Sequence, residues 1–90
     1  MNVAEAIAEA VVAEGARLAA GITGQSVGHI ADALSLNPDM TMVYVRQERV
    51  AVDICDGYAR VTGNPGIVFT DAGPAATNLL GGWVNSWGDS

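Results

Sequence analysis

Of the groups in these ninety residues that could do chemistry, the carboxylates are the most numerous, and one stands apart by its position. Glu48 lies where the apolar run Met42–Val45 hands over to a helical pattern beginning near Arg49. An acid in a first helical turn complements the helix dipole and the free N–H groups there, which is the plain structural reading. The chemical reading is a carboxylate held in a low-dielectric cleft and able to share a proton with a ligand nitrogen. Two glycine-bearing turns offer backbone N–H groups instead. Gly73-Pro74 followed by Ala75-Ala-Thr-Asn78 can present bare helix N–H groups to a ligand, or can be only a tight strand-to-helix turn. Gly21-Ile-Thr-Gly-Gln-Ser26 lacks the dinucleotide glycine spacing, and no Gly-Lys-Ser/Thr phosphate loop occurs. Asn78 reads first as a cap or local backbone partner.

The remaining candidates weigh toward structure. His29 is the only histidine, and its place between Gly28 and Ile30 suits a solvent-facing or core-edge position better than catalysis. Cys55 falls on an apolar helical stripe and reads as a small core residue. No His/Cys pairing and no Asp-x-Asp run offers a metal site, so none is expected. No serine sits in a nucleophile-elbow sequence.

The elements that must position these residues alternate between helical and extended patterns. Residues 2–15 put Val3, Ile7, Ala10 and Val11 on one stripe, with Asn2 able to cap the start and Gly15 the end. Arg17–Ala20 is a short apolar run. Ser26 opens a second helical pattern through Val27, Ile30, Ala31 and Leu34, closed by Asn37-Pro38. Met40–Val45 reads as a strand covered on both faces. From Glu48 to Val61, Val50, Ala51, Ile54, Cys55 and Tyr58 follow helical spacing. Arg49–Asp53 and Asp56–Arg60 form i, i+4 pairs on the opposite side. Thr62-Gly-Asn-Pro-Gly66 is a turn, Ile67–Thr70 a third buried strand, and residues 76–87 a last helix carrying Trp83 and Trp87. Three strands and four helices in this alternation predict an α/β fold with a partial parallel sheet, doubly wound. In such sheets ligands bind at the carboxyl ends of the strands. Three turns fall there: Gly21–Ser26, Arg46-Gln-Glu48 and Asp71–Asn78.

Composition narrows the function classes. Ten acidic residues against four basic ones leave a net charge of −6, which argues against a nucleic-acid groove or an anionic membrane surface. A single cysteine excludes an internal disulfide and fits a reducing cytoplasm. No stretch approaches the length of a membrane span. Ninety residues are few for an enzyme, and the chain is expected to be part of a larger domain that breaks off after a helix and before its return strand.

One constellation is specific. Gln47-Glu48-Arg-Val-Ala-Val-Asp-Ile-Cys-Asp-Gly57-Tyr-Ala-Arg60-Val-Thr-Gly63-Asn-Pro-Gly66 closely resembles the stretch around the activating glutamate of thiamine-diphosphate-dependent enzymes. The acetolactate synthase, pyruvate oxidase and benzoylformate decarboxylase relatives make up that family. Asp71-Ala-Gly-Pro-Ala-Ala-Thr-Asn78, with Asp89-Ser90, is similar to the family's "SGPGATN…DS" segment, and Gly21-Ile-Thr-Gly24 to its "FGxPG" turn. The resemblance covers residues 3–90 and implies the first part of a pyrimidine-binding domain, residues 1–90 being a piece of it. It implies that Glu48 hydrogen-bonds N1′ of the cofactor's aminopyrimidine, favouring the imino form that activates C2. It further implies that Thr23, Gly24, Thr70, Pro74 and Asn78 line the pyrimidine pocket.

The departures from the family pattern are local. Thr23 replaces the usual proline and Ala75 the usual glycine, and Gln47 stands where many members carry histidine. The "GDG…N" segment that holds Mg²⁺ and the diphosphate in the family does not occur in these residues. The resemblance therefore implies thiamine diphosphate with Mg²⁺ bound outside this chain, by a homo-oligomeric partner or a complementary subunit, and leaves FAD open. It implies decarboxylation or carboligation of a 2-oxo acid. A non-catalytic module of the same fold, docking a larger subunit through Trp83 and Trp87, is the alternative.

Overall fold

The computed structural model describes residues 2–24, 27–71, 80 and 82–83. Six elements follow in order: helix α1 (Val3–Ala13), strand β1 (Leu18–Gly21), helix α2 (Gly28–Leu36), strand β2 (Thr41–Tyr44), helix α3 (Glu48–Thr62) and strand β3 (Gly66–Phe69). The sheet order is β2-β1-β3, and both pairings are parallel. The expected α/β fold with three parallel strands is what forms. Three helices are complete among the described residues. The expected fourth falls mostly outside them, although Leu80, Gly82 and Trp83 are helical.

The central strand explains the layering. β1 reads Leu-Ala-Ala-Gly and is buried throughout, because small side chains admit helices close to both faces. Successive residues face opposite sides of a sheet. Ala19, Met42 and Ile67 share a register row and pack with Ala8, Ala31 and Leu34 on the α1/α2 side. Ala20, Val43 and Val68 form the next row and pack with Ala51 and Cys55 of α3 on the other side. The chain leaves β1 toward β2 over one face and returns across it to β3 over the other, which is double winding.

Three expectations are corrected. The strand expected at Ile67–Thr70 as buried runs instead over Gly66–Phe69, with Phe69 buried and the other three residues partly exposed at the margin of the described sheet. Among the described residues β2 lies at the edge of the sheet with Thr41 and Tyr44 exposed, because the helices cover the middle of the sheet rather than its margin. The buried side of α1 carries Ala8 with Val11 and Val12 against it, whereas Val3 and Ile7 are exposed. The small Ala8 lets α1 sit closely on α2. The helix is thereby rotated, and Val3 and Ile7 become the rim of a shallow groove shared with His29 and Ile30. His29 itself is exposed, as expected.

Caps set the helix limits. The Glu5 N–H donates to Asn2 Oδ1 at 2.8 Å at the start of α1. Near its end, the Val12 carbonyl accepts both the Gly15 N–H at 3.0 Å and Arg17 Nη1 at 2.9 Å. α3 ends on Gly63 in the left-handed region at φ 74°, with its N–H donating to Ala59 O at 2.8 Å. The two expected i, i+4 ion pairs of α3 form, Arg49–Asp53 at 3.9 Å and Arg60–Asp56 at 3.1 Å.

Candidate functional site

The three strands end level. Gly21 is in register with Tyr44 on one side and Phe69 on the other. One further rung joins each pair: Val45 N–H donates to Gly21 O at 3.0 Å, and Ile22 N–H to Phe69 O at 3.4 Å. The turns that follow, residues 22–24, 45–47 and 70–71, therefore leave the sheet along one edge. This places Thr23 and Gly24, Gln47 and Glu48, and Thr70 at the carboxyl edge, as the sequence predicts. Pro74 and Asn78 lie outside the described residues.

Glu48 is the buried polar residue of this edge. Only 8% of its surface is exposed, although it sits in the first turn of a helix. The helical period accounts for this. The buried residues of α3 are Glu48, Ala51 and Cys55, at i, i+3 and i+7, a single stripe facing the sheet. Ala51 packs in the cluster of Ala20, Val43 and Val68. Glu48 stands one turn beyond Ala51, over the carboxyl end of the central strand. The cap hydrogen bond is made by its neighbour: Gln47 Oε1 accepts the Arg49 N–H at 2.6 Å. Burial of an acid has a desolvation cost of several kcal/mol unless polar partners offset it. The spacing 48, 51, 55 is a helical period of the sequence, but its first member is an acid, so the apolar pattern by itself starts at Val50. Val50 itself is exposed.

The rest of the edge is closely fitted. A side chain at Gly21 would collide with the carbonyl of Phe69 and stand 2.8 Å from its ring, so only glycine lets β3 lie this close. Tyr44 meets Phe69 edge-to-face with centroids 6.0 Å apart, a pair that spans the gap above Gly21. Thr70 is two residues beyond Val68 on the α3 side, the side that also buries Glu48. Its Oγ1 donates to the backbone carbonyl of Asp71 at 3.3 Å. The Asp71 carboxylate lies against Gly24, a contact that sequence patterns do not reveal because it joins two turns far apart in the chain.

Cys55 is buried as expected, and its Sγ lies 3.5 Å from the Ile67 carbonyl. Burial pushes its thiol pKa up, opposed by a hydrogen bond with the backbone of Ala20, which disfavours the nucleophilic thiolate on balance. Among the described residues no group of three or more metal-ligating side chains occurs, and no helix is long and apolar enough to cross a membrane.

Comparison with known proteins bears on the whole chain. The family model described as "Thiamine pyrophosphate enzyme, N-terminal TPP binding domain" matches residues 1–90. A probable acetolactate synthase large subunit of Methanocaldococcus jannaschii is 37% identical over 90 residues, covering 100% of this chain and 15% of that protein. The acetolactate synthase isozyme 3 large subunit of Escherichia coli (strain K12) is 37% identical over 87 residues, 97% of this chain and 15% of that protein. The chloroplastic acetolactate synthase of Arabidopsis thaliana is 33% identical over 87 residues, 97% of this chain and 13% of that protein. The chain thus spans about 15% of the length of the first two relatives. The parallel sheet, the level carboxyl edge and the match along all ninety residues agree: this chain belongs to the family of N-terminal thiamine-pyrophosphate-binding domains of thiamine pyrophosphate enzymes.

Proposed function

We propose that this chain supplies the pyrimidine-binding side of a thiamine diphosphate site, with Glu48 as the acid that holds the cofactor's N1′. The reaction proposed is decarboxylation or carboligation of a 2-oxo acid, in the manner of the acetolactate synthases it resembles. The observation that carries this reading is the burial of Glu48 on the sheet-facing stripe of α3 at the carboxyl edge. A carboxylate with 8% of its surface exposed at the mouth of a parallel sheet has the chemistry that one ring nitrogen of an aminopyrimidine requires.

Thiamine diphosphate, when bound, supplies the carbon nucleophile and the electron sink. The protein's part is to bind, orient and manage one proton. Glu48 donates a hydrogen bond to, or shares its proton with, N1′, and the dry surroundings of the stripe strengthen that bond. Thr23, Gly24 and Thr70 stand at the same edge and are proposed to line the ring, with Pro74 and Asn78 added from their matching positions. Mg²⁺ and the diphosphate are proposed to be held outside these ninety residues, by a partner subunit or a complementary chain.

Glu48→Gln keeps the shape and removes the acid. In the holoenzyme it is expected to slow hydrogen–deuterium exchange at C2 of thiamine diphosphate by about 100-fold or more. Exchange at the wild-type rate would refute the assignment.

A further inference from the structure

Asp71 has no role in the proposed chemistry, yet its carboxylate occupies the space a side chain at Gly24 would fill. A Cβ built at position 24 would overlap the Asp71 carboxylate, with Cγ 2.6 Å and Cβ 2.9 Å away. Gly24 does not have a positive φ, unlike Gly15 and Gly63. Its backbone is therefore one that alanine can adopt, and among the described residues the atoms nearest to such a side chain are those of the Asp71 carboxylate. The ladder between β1 and β3 has its last rung at Ile22 and Phe69. The contact of Gly24 with Asp71 carries the association of the two strands two residues further, past the sheet and into the turns. Thr70, whose hydroxyl donates to the Asp71 carbonyl, ties the base of that turn.

We infer that Asp71 is a positioning residue of the cofactor pocket: seated against Gly24, it holds the turn after β1 and the turn after β3 at one fixed separation on the edge where Glu48 is buried. The inference rests on the proposed thiamine diphosphate site for its functional meaning, but the contact stands independently of it. A seat of this kind acts by shape, because a packed interface between two turns has one low-energy spacing.

A double-mutant cycle in the holoenzyme tests it, read by thiamine diphosphate affinity and by thermal unfolding. Gly24→Ala is expected to weaken cofactor binding about tenfold, and the same change made on Asp71→Ala to weaken it by less than about threefold. Asp71→Asn, which keeps the shape, should bind within about threefold of wild type while Asp71→Ala alone binds several-fold more weakly. If Gly24→Ala does not fold, recovery of folded protein by adding Asp71→Ala supports the contact, and failure to recover overturns it. An equal penalty for Gly24→Ala with and without Asp71, in both affinity and melting temperature, overturns the inference. Wild-type protein that binds no thiamine diphosphate refutes the proposed function instead, and the coupling in melting temperature then decides whether Asp71 and Gly24 hold the turns together.

Discussion

At the scale of single residues, two buried titratable groups on one helix stripe are set apart by where along it they fall. Glu48 is at the carboxyl edge, where the strands stop and where the cofactor ring is proposed to sit. Cys55 is two turns further along, packed against β3 at Gly66 and Ile67. Burial raises the Cys55 thiol above its ordinary value of 9.0, with a backbone hydrogen bond opposing the rise. The sign of the linkage follows. The unfolded chain ionises first, so the contribution of this thiol is intact below the unfolded value and is lost as pH rises toward the folded one. The melting temperature of the wild type should therefore fall more steeply from about pH 8 to about pH 10 than that of Cys55→Ala, measured by circular dichroism. Parallel curves would show that the thiolate is tolerated where it stands. The thiol's burial was legible in the sequence because Cys55 lies on an apolar period. For Glu48 the sequence left two readings, a solvated acid of a first helical turn or a carboxylate in a low-dielectric cleft, because an acid carries no apolar period of its own. The fold buries it.

At the scale of elements, caps and close approaches decide where helices stop and how near they come to the sheet. α3 must end so that the chain can turn directly into β3, and Gly63 in the left-handed region makes that turn. Gly63→Ala should destabilise the protein by about 1 kcal/mol, seen in chemical denaturation, since the space around it is open but a residue with a Cβ is strained at positive φ. A change within about 0.3 kcal/mol would mean the C-cap geometry relaxes freely. The turn was legible as Thr62-Gly-Asn-Pro-Gly66, and its glycine carries the positive φ. The facing of α1 was not legible. Two stripes of similar apolarity run along it, and the tertiary contact of Ala8 with α2 chooses the one that leaves Val3 and Ile7 outside.

At the scale of the whole molecule, protection against solvent should follow the sheet order. β1 is central and buried at every residue, whereas β2 and β3 are its neighbours at the two margins of the described sheet. Amides of Ala19 and Ala20 should thus exchange with solvent more slowly than those of Met42 and Val43 by at least about tenfold, as measured by NMR. Comparable rates would mean that the sheet opens as one unit. The order of elements, their α/β class and the turns that hold candidate ligand groups were determined by the sequence alone, because hydrophobic period and turn residues are local properties. The family was legible too, since its motif is contiguous from Gln47 to Gly66. Only the tertiary structure decided that β1 is central, that Glu48 faces the sheet, and that Asp71 lies against Gly24. Each of these depends on which parts of the chain meet after folding, and such contacts are set by packing across the sheet rather than by the order of neighbours along the chain.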